Sequence, residues 1–382
     1  MTANARKWLT YYLCLTLGVS SFVSFEPALY DLLFISIVAV GFLFSFIAFT
    51  KETVFPLLIV IVFLLSNLLS LFFLNEFKIS IFFTGITMYL ILTWIGLVGM
   101  GFYLNGAHLE LMMKGYLFSA FLAASIGILA YFQLLPSSDT YLTYGRATAF
   151  FKDPNVFGPY LIMPALLAIS MTEMKEMIVW RKMVYYLLFL ILVLGVIVSF
   201  SRAAWGSFGI SFGLYLLIVK KELFRRRIKT IVVLAMVGIP IIAYFIQSPM
   251  VEDILLSRFS LQKYDIERFD TQQEALLSGL HNPFGIGAGQ SENAFQIAPH
   301  SLYARIFAEN GIAGLISIVT FLIVSIYKSY QNYKTAMNTS GIFHLVVLTS
   351  LIGLVFNSFF VDTLHWRHLW LILALAWVPS SD

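Results

Sequence analysis

Apolar runs of about the length that crosses a bilayer follow one another along nearly all of the chain, and no polar stretch between them is long enough to fold alone. A helix needs about 20 apolar residues to span the hydrocarbon core, and an open strand cannot enter it with unpaired backbone groups. The runs lie at 8–25, 29–49, 54–73, 79–104, 114–135, 155–171, 183–200, 203–219, 228–246, 302–327, 342–361 and 365–378. They predict an all-α integral membrane protein, a bundle of about 12 transmembrane helices, with the sixth and twelfth the shortest. With 60% hydrophobic and 12% charged residues, the chain is far from the roughly 25% charge of a soluble protein, so lipid is its main solvent.

The net charge of +4 does not point to nucleic acid, because the basic residues lie between apolar runs rather than on one wet surface. The single cysteine, Cys14, excludes an intramolecular disulfide and a multi-cysteine metal site. Arg6 and Lys7 ahead of the first run imitate a signal peptide, but no small-x-small pattern closes it, so it reads as a retained helix.

Positively charged loops stay in the cytoplasm. With the N-terminus inside, 15 of the 24 Lys and Arg residues fall on the inner side, among them Lys220, Lys221, Arg225, Arg226, Arg227 and Lys229. Both termini are therefore expected in the cytoplasm, and the long loop 247–299 outside. Within that loop, Ile266, Phe269, Leu276, Leu277 and Leu280 recur near helical spacing, predicting an amphipathic helix on the outer surface.

The same outer face gathers Arg146, Asp153, Arg202, Arg258, Arg268 and His300. Arg202 joins two apolar runs with hardly a loop between them, so its guanidinium sits near headgroup level and either snorkels or meets an anion. Arginine suits a diphosphate, because its planar fork makes paired, charge-assisted hydrogen bonds and keeps its proton. A metal would need clustered carboxylates. Asp265 and Glu267, two apart on a helix, point in different directions. His300 follows Pro299 in the first predicted turn of a helix, whose positive end disfavours imidazolium. It reads either as a neutral general base or as a capping residue at the interface. Gly285, Gly287 and Gly289 read as a loop, or as a backbone nest for a phosphate. His365 and His368, with Asp362, Arg367, Trp366 and Trp370, read as interfacial anchors. No acidic or basic residue is expected well inside a span, and no helix is expected to be discontinuous.

Six stretches resemble, in order, the O-antigen ligase and polysaccharide polymerase superfamily of bacterial membrane glycosyltransferases. They are Arg146-Ala-Thr-Ala-Phe-Phe-Lys-Asp-Pro-Asn-Val-Phe-Gly, Ser201-Arg-Ala-Ala-Trp-Gly, Arg268-Phe-Asp-Thr-Gln-Gln-Glu-Ala-Leu, His281-Asn-Pro-Phe-Gly-Ile-Gly-Ala-Gly-Gln, Pro299-His-Ser-Leu-Tyr and Ala308-Glu-Asn-Gly-Ile-Ala-Gly-Leu. The resemblance divides the chain into N-terminal helices at 1–143, a ligase- or polymerase-like core at 144–327 and C-terminal helices at 328–382. It implies a GT-C-like bundle in the cytoplasmic (inner) membrane of a bacterium, with the active site on the periplasmic face.

The implied reaction moves a glycan from a polyprenyl (undecaprenyl) diphosphate carrier to the hydroxyl of a lipid-anchored or glycan acceptor, with inversion and without metal or other cofactor. Carried over by position, the motifs imply His300 as the base and Arg202, Arg268, Arg146 and Arg258 as diphosphate ligands. Tyr303, Arg305 and Asp153 would support them or the acceptor. A transporter or flippase of lipid-linked saccharides is the alternative; it would gather arginines in the same way but should carry broken helices and charges at mid-membrane.

Overall fold

The computed structural model describes residues 1–73, 76–174, 177–218, 221–246, 263–336 and 338–379. Every predicted apolar run carries a helix. In chain order they are α1 (Ala3–Gly18), α2 (Leu29–Leu43), α3 (Lys51–Ser70), α4 (Phe77–Gly101), α5 (Gly106–Tyr131), α6 (Pro154–Tyr160), α7 (Ile162–Met174), α8 (Val179–Val198), α9 (Arg202–Leu217) and α10 (Lys221–Ile246). The loop helices α11 (Lys263–His281) and α12 (Ser291–Ala294) follow, and α13 (Leu302–Thr335), α14 (Asn338–Asn357) and α15 (Arg367–Leu375) complete the set. A two-stranded hairpin, β1 (Leu142–Thr143) with β2 (Arg146–Ala147), pairs Thr143 with Arg146.

Among the described residues, six helical stretches are long and apolar enough to cross a membrane: 51–73, 77–101, 106–131, 154–173, 179–198 and 302–335. The expectation of about twelve is not confirmed, and helix length is the reason. At 1.5 Å per residue, the nine residues of α15 reach about 13 Å, under half of the roughly 30 Å hydrocarbon core. The sixth run proves the most enclosed, with 89% of its apolar window buried, so the chain just before it stands over the centre of the bundle.

Helix α3 packs along α13, α1 along α5, α9 along α14, α4 along α15, and the loop helix α11 along the start of α13. Close approach of α9 and α14 lets the Ser207 hydroxyl donate to the Gly353 carbonyl at 2.8 Å, the kind of small-residue contact that substitutes for hydrophobic drive inside lipid. Outward faces expose Leu58, Leu65, Phe82, Leu187, Ile316 and Ile323, which suits hydrocarbon and not water.

The loops predicted to lie outside meet at one end of the bundle. Val23 donates its N–H to the Phe150 carbonyl at 3.3 Å, and Gln290 reaches the Glu76 carbonyl at 2.7 Å. At the other end, Ala48 donates to the Gly99 carbonyl at 3.1 Å, and the buried Arg227 guanidinium meets Glu173 at 2.7 Å. A multi-pass membrane protein with its two sets of loops segregated follows directly from these contacts.

Candidate active site

Three separate segments each bring one arginine to a cavity of about 370 Å³ at the loop-gathering end. The first is the turn between α8 and α9. There the Ser201 hydroxyl caps α9 by accepting from the Ala204 N–H at 3.3 Å, which sets Arg202 as the first helical residue. The second is the β-hairpin: buried Arg146 donates from Nε to the Ser199 carbonyl and from Nη2 to Asn155 Oδ1, each at 2.9 Å. Asp153 caps α6, accepting from the Asn155 N–H at 2.7 Å, and so orients that asparagine. The third is α11, where Arg268 donates to the Tyr264 hydroxyl at 2.7 Å and to the Phe360 carbonyl at 3.3 Å. Burial holds its guanidinium below the usual arginine range, against the raising effect of Tyr264 and Asp265.

Arg202 is paired with Asp265, the one carboxylate on the cavity wall among the described residues. Among the described residues, the wall therefore carries three guanidiniums and one carboxylate. Phe200, Phe269, Phe356, Phe360 and Val361 give the rest of the wall an apolar surface, which excludes water and strengthens those charges. The arrangement fits a ligand with a multiply charged anionic head joined to an apolar body. Arg258 lies outside the described residues.

His300 stands beside this cavity. Gln272, which lines it, donates to the His300 carbonyl at 3.2 Å. Helix α13 begins at Leu302 with Ser301 as its cap, so His300 precedes the cap and is not in the first turn as expected. Its imidazole is neutral for a different reason than the helix dipole. Burial, reinforced by the positive charges of Arg268 and Arg305 and opposed by Asp362, pushes it down to about 4.

The supporting residues do more specific work. The Tyr303 hydroxyl donates to the Val355 carbonyl at 2.9 Å, tying α13 to α14. Arg305 is buried and meets Glu309 and Asp362 at 3.0 Å and Glu292 at 3.1 Å, so it faces three carboxylates and not the cavity.

Residues 187–319 match the family model described as O-antigen ligase. This segment is similar to the O-antigen ligases. No curated protein matches the chain. The ligase segment holds Arg202, Arg268, His300, Tyr303 and Arg305, whereas Arg146, Asp153, Asn155 and the 358–366 loop join the same site from outside it.

Within the ligase segment, two of the glycine-bearing motifs close on each other. Helix α13 is broken at Gly311, whose φ of 68° and ψ of −165° interrupt the ladder two turns in. The loop 282–291 fills the break: Ile286 donates to the Ala308 carbonyl at 2.9 Å, Gly287 to the Glu309 carbonyl at 3.0 Å, and Ile312 to the Pro283 carbonyl at 3.1 Å. The Glu309 carboxylate takes the N–H groups of Gly289 at 2.7 Å and Ser291 at 3.2 Å. Of the glycines considered as a nest for a phosphate, Gly289 thus gives its N–H to the chain's own carboxylate, and Gly285 and Gly287 give theirs to the Asn282 and Glu309 carbonyls. Gly285 has φ of 83°, and a Cβ there would lie 2.2 Å from the Glu309 carbonyl oxygen, so only glycine fits the junction.

Two further expectations are corrected. A charge does lie inside an apolar run, since Glu309 is buried within 302–327, and a helix is discontinuous. His368, Trp366 and Trp370 are packed inside the bundle, with the Trp370 indole donating to the Leu364 carbonyl at 2.7 Å, so they are not interfacial anchors. Sequence reasoning missed Asn155 and Gln272 altogether, and weighed Asp265 only as a metal ligand. The spacing of Tyr264 and Arg268, four apart on a helix, was the available signal for that pair.

Proposed function

We propose that this protein is an inverting glycosyltransferase of the O-antigen ligase or polymerase type, acting on the periplasmic face of a bacterial cytoplasmic membrane. The donor is a glycan on a polyprenyl diphosphate, and the acceptor is a hydroxyl on a lipid-anchored core or on another glycan chain. The bond between the anomeric carbon and the diphosphate oxygen breaks as the acceptor oxygen attacks from the opposite face. His300 takes the acceptor's proton, and Arg202, Arg268 and Arg146 hold the charge that stays on the diphosphate. Diphosphate is already a good leaving group, so charge stabilisation and deprotonation supply what remains.

The observation that carries this reading is the convergence of three guanidiniums from three segments on one cavity, with an uncharged imidazole beside it. Purified protein given a polyprenyl diphosphate glycan and an acceptor should form product, and His300→Ala should abolish it while membrane insertion is unchanged. Ordinary product from that variant refutes the assignment of the base.

The helix break at Gly311 is a feature that a carrier of lipid-linked saccharides would share. Product formed without an energy source favours the transferase. Movement of the donor across a bilayer without transfer favours the carrier.

A further inference from the structure

A second cavity, of about 170 Å³, lies at the same end between the 19–28 and 358–366 loops. It draws its wall from two of the elements that also line the arginine cavity. Asn155 lines one and its neighbour Val156 the other, and Val361 lines one while His365, four residues on, lines the other. Its chemistry is the opposite of its neighbour's. Lys152 and Glu26 pair at 3.0 Å, and Arg367 pairs with Asp31 at 2.6 Å, so among the described residues no lining charge is left over for an ionic ligand.

The walls are aromatic, from Tyr30, Tyr116, Phe151, Tyr160 and Trp366, and carry uncharged hydrogen-bonding groups. The Tyr160 hydroxyl is 2.8 Å from Ser20 Oγ. Nε2 of His368, a residue only 5% exposed on the cavity wall, has no hydrogen-bond partner among the described residues. A buried nitrogen of that kind needs a partner, which a hydrocarbon chain would not supply and a hydroxyl would. A cavity of roughly 150 Å³ takes one six-membered ring.

We infer that this second cavity is a subsite for one uncharged sugar ring. Aromatic faces cover the ring's C–H surfaces, while the imidazole and phenol groups meet its hydroxyls. That the ring belongs to a substrate of the transfer rests on the function proposed above; that the cavity binds a neutral sugar does not. The ring comes from the acceptor or from the donor glycan, and kinetics separate the two.

The test uses the full chain in lipid nanodiscs, with saturation-transfer NMR on D-glucose, D-galactose, N-acetyl-D-glucosamine and L-rhamnose, and glucose 6-phosphate as the charged control. The expected result is transfer to the ring protons of at least one neutral sugar. It should be lost in Val156→Trp, which fills the cavity, and kept in His300→Ala. No response to any neutral sugar up to about 100 mM, a response to glucose 6-phosphate alone, or an undiminished response in Val156→Trp overturns the inference. If Val156→Trp does not fold, the wild-type titration decides.

In transfer assays, Val156→Trp should raise one KM about tenfold with kcat held within a few-fold. A change in the acceptor's KM assigns the ring to the acceptor, and a change in the donor's assigns it to the donor. An unchanged KM for both refutes a role in transfer. Protein that binds the sugars but makes no product leaves the subsite standing and removes the proposed function instead.

Discussion

The pH dependence of transfer tests the base most directly. His300 is pushed from 6.5 down to about 4, first by burial and then by Arg268. The base must be neutral, so the acid limb of kcat/KM, which reports the free enzyme, should lie near pH 4 and not near 6.5. At pH 5.5, neutral His300 outnumbers the charged form about thirtyfold, whereas an ordinary histidine would keep only about a tenth of its neutral population. Arg268→Gln removes one of the two largest causes of the shift and leaves the burial. Its low residual rate should therefore show an acid limb moved upward, yet still short of 6.5.

Folding responds to the same proton with a defined sign. The folded-state value lies below the ordinary one, so the unfolded chain binds more protons between 6.5 and about 4. Stability therefore falls as pH drops through that window. Returning acid-exposed samples to pH 7.5 and re-assaying separates reversible titration from unfolding. A wild-type limb near 6.5, or one that Arg268→Gln does not move, would refute the reasoning.

Other perturbations act on the frame around the base. Gly285→Ala should lower thermal stability by about 2 kcal/mol or more, from positive φ and overlap with the Glu309 carbonyl, while Gly209→Ala, with nothing within 4 Å, should be silent in the same fluorescence melt. Arg305→Ala strands three carboxylates and should cost about 3–5 kcal/mol, and Arg305→Lys should recover only part, because an ammonium cannot reproduce the fork. Transfer should persist in excess chelator, since the carboxylate on the cavity wall is already committed to Arg202; a rate restored only by added divalent cation would contradict this.

The apolar runs were legible because hydrocarbon enforces helix and run length on the sequence itself. Which helices cross was less so, because α15 is fixed by what precedes it: the 358–366 loop enters the bundle and leaves nine residues for the helix. The arginines at 202 and 268 stood out by position between apolar segments. Asn155 and Gln272 did not, since each matters only through a partner that folding delivers. Glu309 was overlooked for a related reason. Its own carboxylate meets an N–H 20 residues back in the chain, and the Arg305 it accompanies binds acids 13 and 57 residues away, distances that no periodicity records. The expected neutrality of His300 was reached from the wrong cause, because a helix boundary drawn at Pro299 placed it in a dipole that it does not feel.

The interlock between the 282–291 loop and the interrupted helix divides the loop-gathering end of the bundle into a chassis and interchangeable parts. Lifting the loop would strand several backbone groups away from water, and Leu302 is pinned again by the Ser358 carbonyl at 2.9 Å. The imidazole is thus mounted on scaffolding that cannot drift without unfolding. Diversification among relatives should accumulate in the stretches 19–28 and 132–141, where new side chains can be tried without disturbing Arg146, Asp153 or His300.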